Sequence, residues 1–173
     1  MNLRLKERTA ENREPAFTLI ELVLVMALLV AAVSVSAPML SSFFRGRTLD
    51  SEARRLLSLT HAGQSRAVSE GMPMLLWVDA SQHTYGLERE ATTRNDDPKA
   101  ENFALAEFVQ LEAVSAPPVP VGGRSLPAIR FLPDGSIDES SPSTLRLAGA
   151  DGSTLWLVEA ANHVSYAIQN SIQ

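Results

Sequence analysis

One glutamate stands in a long apolar run. Residues 22–33 (LVLVMALLVAAV) are twelve apolar residues without a break. With 17–20 before them and 34–40 after them the run reaches 24 residues, and Glu21 is its one charge. A helix of that length spans roughly 36 Å at about 1.5 Å per residue, enough for a hydrocarbon core of about 30 Å. An acidic side chain central in a membrane helix costs roughly 2.5–3.5 kcal/mol and less toward the interface, so such a residue has a partner and a purpose. A cut before Phe17 would create an α-amino group at the start of this helix. The Glu21 carboxylate of an axially shifted neighbour would pair with that amine, removing an isolated charge from lipid and fixing the stagger between helices.

The flanks fit an anchor followed by a rod. Residues 1–16 (MNLRLKERTAENREPA) are polar, with Arg4, Lys6, Arg8 and Arg13 against Glu7, Glu11 and Glu14. Pro15 breaks any helix ahead of the apolar run. Pro38, near its end, predicts a bend, because a proline removes one backbone bond from a helix. Residues 41–71 read as an amphipathic continuation. Phe44, Leu49, Ala53, Leu56, Leu57, Thr60, Ala67 and Val68 recur at three- and four-residue steps, and most of the charges lie off that stripe. Gly71 and Pro73 end it. The two parts together predict one helix of about 54 residues, and a rod of that length needs neighbours.

From residue 73 the period becomes strand-like. Residues 73–79 and 83–88 predict a hairpin turning at 80–82. Further strands are expected at 105–111, 128–132, 144–147, 154–159 and 163–168. Asp134-Gly135 and Asp151-Gly152 are hairpin turn signals. The charged stretch 89–102 and the Pro- and Gly-rich stretch 115–125 read as loops. Residues 72–173 are thus expected to be one antiparallel β-domain of about 100 residues, and the fold class α+β.

Chemistry is sparse. The chain has no cysteine, which excludes a disulfide framework, a thiolate nucleophile and a Cys-ligated metal. Its net charge of −5 disfavours a general nucleic-acid or anionic-membrane coat. From residue 104 onward the basic residues are Arg124, Arg130 and Arg146, so DNA binding by the β-domain is not expected. His61, His83 and His163 lack metal-ligand spacing. Asp134 and Asp151 precede glycines and read as turn formers. Asp96-Asp97 supplies two of the six to eight oxygens that calcium takes. Trp77 and Trp156 sit in strand patterns and read as core. There is no G-x-S-x-G, P-loop or dinucleotide-binding glycine pattern, so neither a cofactor nor a metal is expected, and the chain does not read as an enzyme.

Phe17-Thr18-Leu19-Ile20-Glu21-Leu22, opening an apolar helix behind a short polar leader, resembles the class III signal of type IV pilins and type II secretion pseudopilins. The resemblance implies a leader at 1–16, cleavage by a prepilin peptidase between Ala16 and Phe17, N-methylation of Phe17, and a register role for Glu21. Pro38 falls where family members often bend the helix. The family usually has Gly before the cut, where this chain has Ala16 after Pro15. The amphipathic run before a hairpin, and Phe131-Leu132-Pro133-Asp134-Gly135-Ser136, resemble the GspH/FimT group of minor pseudopilins and minor pilins. That group implies a type IV pilin-like fold: a long N-terminal helix, membrane-spanning at 17–40, packed on a C-terminal β-sandwich. It further implies an inner-membrane, single-pass protein with its β-domain in the periplasm. Its expected partners are other pilin-like subunits and the inner-membrane assembly platform. Lys and Arg flank the span about equally, so the orientation comes from the resemblance.

Three functions fit the sequence. The leading one is a minor pseudopilin of a type II secretion system, part of a periplasmic filament that drives export of folded proteins. The second is a minor type IV pilin that primes pilus assembly or serves DNA uptake. The third is a secreted enzyme or ligand-binding β-protein whose signal peptide is cut near residues 35–38.

Overall fold

The change from helical to strand-like periodicity after residue 70 is where the backbone turns from helix to sheet. The computed structural model describes the backbone of residues 18–90 and 97–171, and their side chains except those of 35–45. The leader, Ala16 and Phe17 lie outside the described residues. The chain divides into two compact units, Met1–Leu40 and Ser41–Gln173. Helix α1, Leu19–Glu70, contributes to both, and each unit is described by itself.

In the second unit α1 is followed, among the described residues, by nine strands: β1 Met74–Asp79, β2 Thr84–Arg89, β3 Glu101–Ala104, β4 Val109–Val114, β5 Pro118–Val121, β6 Arg124–Phe131, β7 Thr144–Gly149, β8 Thr154–Glu159 and β9 Tyr166–Gln169. They form a five-stranded sheet in the order β3-β2-β1-β6-β5 and a four-stranded sheet in the order β4-β7-β8-β9. Each pairing between named strands is antiparallel.

One core joins the helix and both sheets. Leu49, Ala53, Leu56, Leu59 and Ala67 of α1 are buried with Met74, Leu76 and Val78 of β1, Tyr85 and Leu87 of β2, and Ile129 and Phe131 of β6. The second sheet adds Val109, Leu111, Leu145, Leu147, Leu157 and Tyr166. Register explains the assembly: Leu76 lies opposite both Leu87 and Ile129, and Met74 opposite Phe131, so the middle of one face, across β2, β1 and β6, is apolar. Gly63 sets how close α1 comes to that face. A β-carbon there would stand 2.7 Å from the Phe131 ring.

β1 is buried on both faces. Its other face carries Leu75 and Trp77, which pack with Val121, Leu126 and Ala128. Cover comes from the β5–β6 hairpin. The first half of β6 pairs with β5 and the second half with β1. The Arg124 guanidinium fastens the hairpin, 2.8 Å from Asp79 Oδ2 and 5.3 Å from the Trp77 ring centre.

The strand pattern differs from expectation in instructive places. β5 lies inside 115–125, read as a loop for its prolines. Pro118 and Pro120 are tolerated because β5 is an edge strand with one partner. Gly122 and Gly123, with φ of 53° and 82°, make the two-residue turn that joins it to β6. β3 likewise lies partly in the charged stretch. The run 105–111 is not one strand: residues 107–108 turn, and β4 starts at Val109. The Asp134-Gly135 turn returns to a single bridge, Phe131 to Ile137, and not to a full strand.

Five charged side chains tie the end of α1 to the sheet. Glu70 accepts from Arg89 Nη2 at 2.8 Å, Lys99 Nζ at 3.1 Å and Arg66 Nε at 3.2 Å. Arg66 also donates to Asp97 Oδ2 at 2.8 Å, and Asp97 accepts from the backbone N–H groups of Arg89 and Lys99. A carboxylate at a helix C-terminus opposes the helix dipole, and these three cations offset it. Hydrogen bonds from Arg89, then Lys99, hold the Glu70 carboxyl down at about 2.

Two outcomes follow. Gly63→Ala should destabilise the fold by about 1–3 kcal/mol in urea unfolding although alanine is the better helix former, because overpacking against Phe131 outweighs helix propensity. Glu70 is lowered on folding, so its contribution is present above about 4.5 and lost as pH falls toward about 2. In thermal melts across that window the wild type should lose more melting temperature than Glu70→Gln, which carries no titrating group there.

Candidate functional site

The apolar run is helical from Leu19, and its described side chains, to Ser34, are all exposed. Leu19 is 81% exposed and Val30 66%, values that a water-soluble helix reserves for polar residues. Thr18 starts the helix: its Oγ1 accepts from the Glu21 backbone N–H at 3.3 Å, and Thr18-Leu19-Ile20-Glu21 has the spacing of a capping box. Glu21 thus sits in the first turn, where a negative charge complements the helix dipole. Ser34 returns its hydroxyl to Val30 O at 2.7 Å, which satisfies that polar group within the helix.

Glu21 is the one member of the expected set whose side chain is described. The cleavage pair Ala16 and Phe17 lies outside the described residues. Pro38 is within α1, but its side chain is outside the described set. Among the described residues no helix is long and apolar enough to cross a membrane.

Many of the β-domain's described ionisable groups are engaged structurally. Asp134 accepts from Ser136 N at 2.9 Å and Ser136 Oγ at 2.6 Å, and these bonds hold its carboxyl below the usual range. Asp151 accepts the same pair of bonds from Ser153, Asp79 from Ser81, and Asp138 from Ser140. Asp-x-Ser occurs at each of these positions, a turn signal that spacing alone would have revealed. Both Asp97 oxygens face N–H donors, so this carboxylate is committed to the ion network and not to calcium; Asp96 lies outside the described residues. Among the described residues no group of three His, Asp or Glu side chains could hold a metal. His163 Nδ1 lies 3.0 Å from Glu159 Oε1 on the surface.

The three arginines after residue 104 each face carboxylates: Arg124 meets Asp79, Arg130 meets Glu90 and Asp138, and Arg146 meets Glu112. Trp77 is core, as the strand pattern implies. Trp156 is not: Leu157 takes the inward position, and Trp156 lies on the outer face beneath Arg146, at 5.8 Å. Val68, placed on the buried stripe by spacing together with Ala67, is 54% exposed, while Ala67 faces the core. It borders an open groove of about 480 Å³ with His61, Gln64, Asp134, Gly135 and Val164, whose residues come together from three separate parts of the chain.

Residues 52–164 match the family model for the Type II transport protein GspH. No curated protein sequence matches the chain. Among solved structures it is similar to the minor pseudopilin EpsH from the Type 2 Secretion System of Vibrio cholerae. The TM-score is 0.49 at 14% identity, over 72% of this chain and 95% of that one. The family match covers 113 of the 173 residues and contains most of the core, and the protein belongs to the GspH family of type II transport proteins.

Proposed function

We propose that this chain is a minor pseudopilin of a type II protein secretion system, anchored in the bacterial inner membrane with its β-domain in the periplasm. Membership of the GspH family carries the reading. The exposed apolar side chains of Leu19–Ser34 support it, because they need lipid before assembly and other helices after it.

In this reading a prepilin peptidase cuts between Ala16 and Phe17 and the new Phe17 amine is methylated. Residues 17–40 span the membrane, 41–71 continue as the amphipathic rod, and Pro38 bends the helix between them. Glu21 of one subunit pairs with the Phe17 amine of the next. A carboxylate in the apolar interior of a filament is strongly destabilising alone and tolerated when paired, so subunits lock where the two charges meet. The β-domain contacts other pseudopilins, and the inner-membrane platform adds subunits.

Mass spectrometry of the protein from native membranes should find a mature chain starting at N-methylated Phe17. Glu21→Ala should stay membrane-inserted and correctly cut, while secretion by the host falls at least tenfold. A mature start near Pro38, or full secretion by Glu21→Ala, would overturn the reading.

A further inference from the structure

Among the described residues Phe108 is the one exposed aromatic side chain, at 54%. It stands in the turn between β3 and β4, and three contacts gather four turns at one end of the second unit. Leu105 N donates to His83 O at 2.8 Å, which joins the β3–β4 turn to the β1–β2 turn. Ala150 N donates to Phe108 O at 2.9 Å and adds the β7–β8 turn. Arg124 Nη1 donates to Asp79 Oδ2 at 2.8 Å and adds the β5–β6 turn.

This is the end at which α1 enters the unit. Gly63 of α1 lies against Leu87, and Glu52, eleven residues earlier on α1, accepts from Tyr85 Oη at 2.9 Å. Tracing β2 back from Leu87 to Tyr85 and on to His83 therefore follows α1 toward Ser41. The second unit begins there, directly after the apolar run. Glu52 is twelve residues past Leu40, a helical rise of about 18 Å. His83 lies about 7 Å further toward Ser41 at a strand rise of about 3.4 Å per residue. A lipid headgroup layer fills about 5–7 Å of what remains.

The composition of this end sets it apart. Residues 80–83, 105–108, 122–123 and 150–153 contain no Lys or Arg, and their acids are Glu107 and Asp151, both exposed. The opposite end of α1 carries the mixed cluster of Arg66, Glu70, Arg89, Asp97 and Lys99. An exposed phenylalanine flanked by carboxylates fits a surface that presents ammonium groups above apolar chains. An ethanolamine phospholipid has that chemistry: its ammonium donates to carboxylates, and the acyl boundary beneath accepts an aromatic ring. A domain tethered to the same bilayer needs only a weak contact, because tethering raises the effective concentration.

We propose that, before assembly, the β3–β4 turn rests on the periplasmic surface of the inner membrane, an inference that rests on the membrane-anchor reading above. Phe108 enters the acyl boundary, and Glu107 and Asp151 pair with ethanolamine headgroups. Entry of the subunit into a filament then requires this turn to leave lipid.

The absence of native cysteine allows a single dye to be placed at will. Full-length protein with Ala150→Cys, exposed beside Phe108, or with Ser69→Cys, exposed in the last turn of α1, would be labelled with the environment-sensitive dye NBD. Each is reconstituted into vesicles of phosphatidylethanolamine with a minor share of phosphatidylglycerol, doped with a lipid that carries a nitroxide near the headgroup. Quenching at Ala150→Cys should exceed that at Ser69→Cys at least threefold. Phe108→Asp should bring it down to the Ser69→Cys level, Phe108→Trp should retain it, and phosphatidylcholine in place of phosphatidylethanolamine should at least halve it. Equal quenching at the two positions, indifference to Phe108→Asp or to the choline lipid, or shielding that rises with protein density rather than with lipid would overturn the proposal. Flotation of the same vesicles separates the two readings. Protein that floats with lipid but shows no excess quenching rejects this contact alone, whereas protein that does not float rejects the membrane-anchor reading itself.

Discussion

The close approach of α1 to the five-stranded sheet at Gly63 governs the arrangement of the second unit. With no β-carbon at that position the Phe131 ring can lie directly against the helix backbone. Leu56, Leu59 and Ala67 then reach the same apolar layer as Leu76, Leu87 and Ile129. The second sheet closes that layer from another side through Leu145, Leu147 and Leu157. Interiors packed at crystal-like density tolerate little change in spacing, so a helix held further off would leave voids along much of its buried side.

Electrostatics then fixes the ends of the assembly. The Glu70 cluster joins α1 to β2 and to the segment at Asp97, and the Arg124 contact with Asp79 fastens the β5–β6 hairpin. Most carboxylates of the β-domain with resolved bonds are occupied by turn serines, by backbone N–H groups or by arginines. They act as fixed connectors of loops.

Much of this was legible in the sequence, and the failures have physical causes. The helix, its end near Gly71 and the β1–β2 hairpin follow from periodicity and breakers, which are local. Family identity was carried by FTLIEL and by the turn sequence FLPDGS, which are also local. β5 was missed because prolines argue against a strand until one knows that the strand lies at an edge. Trp156 and Val68 were placed on the wrong side because which of two adjacent apolar residues faces the core is decided by neighbours far away in sequence. The groove was invisible for the same reason, since Gln64, Asp134 and Val164 give no pattern until the fold brings them together.

The prolines of β5 have a consequence at the level of crowded assembly. A free sheet edge offers its unpaired N–H and C=O groups to any extended chain nearby, and copies concentrated side by side are the most frequent such neighbours. Pro118 and Pro120 have no N–H to offer, so this edge cannot template a continuous ladder with another copy. In the filament reading proposed above, the domain is thereby protected, at one border of its larger sheet, from disordered fusion with its neighbours.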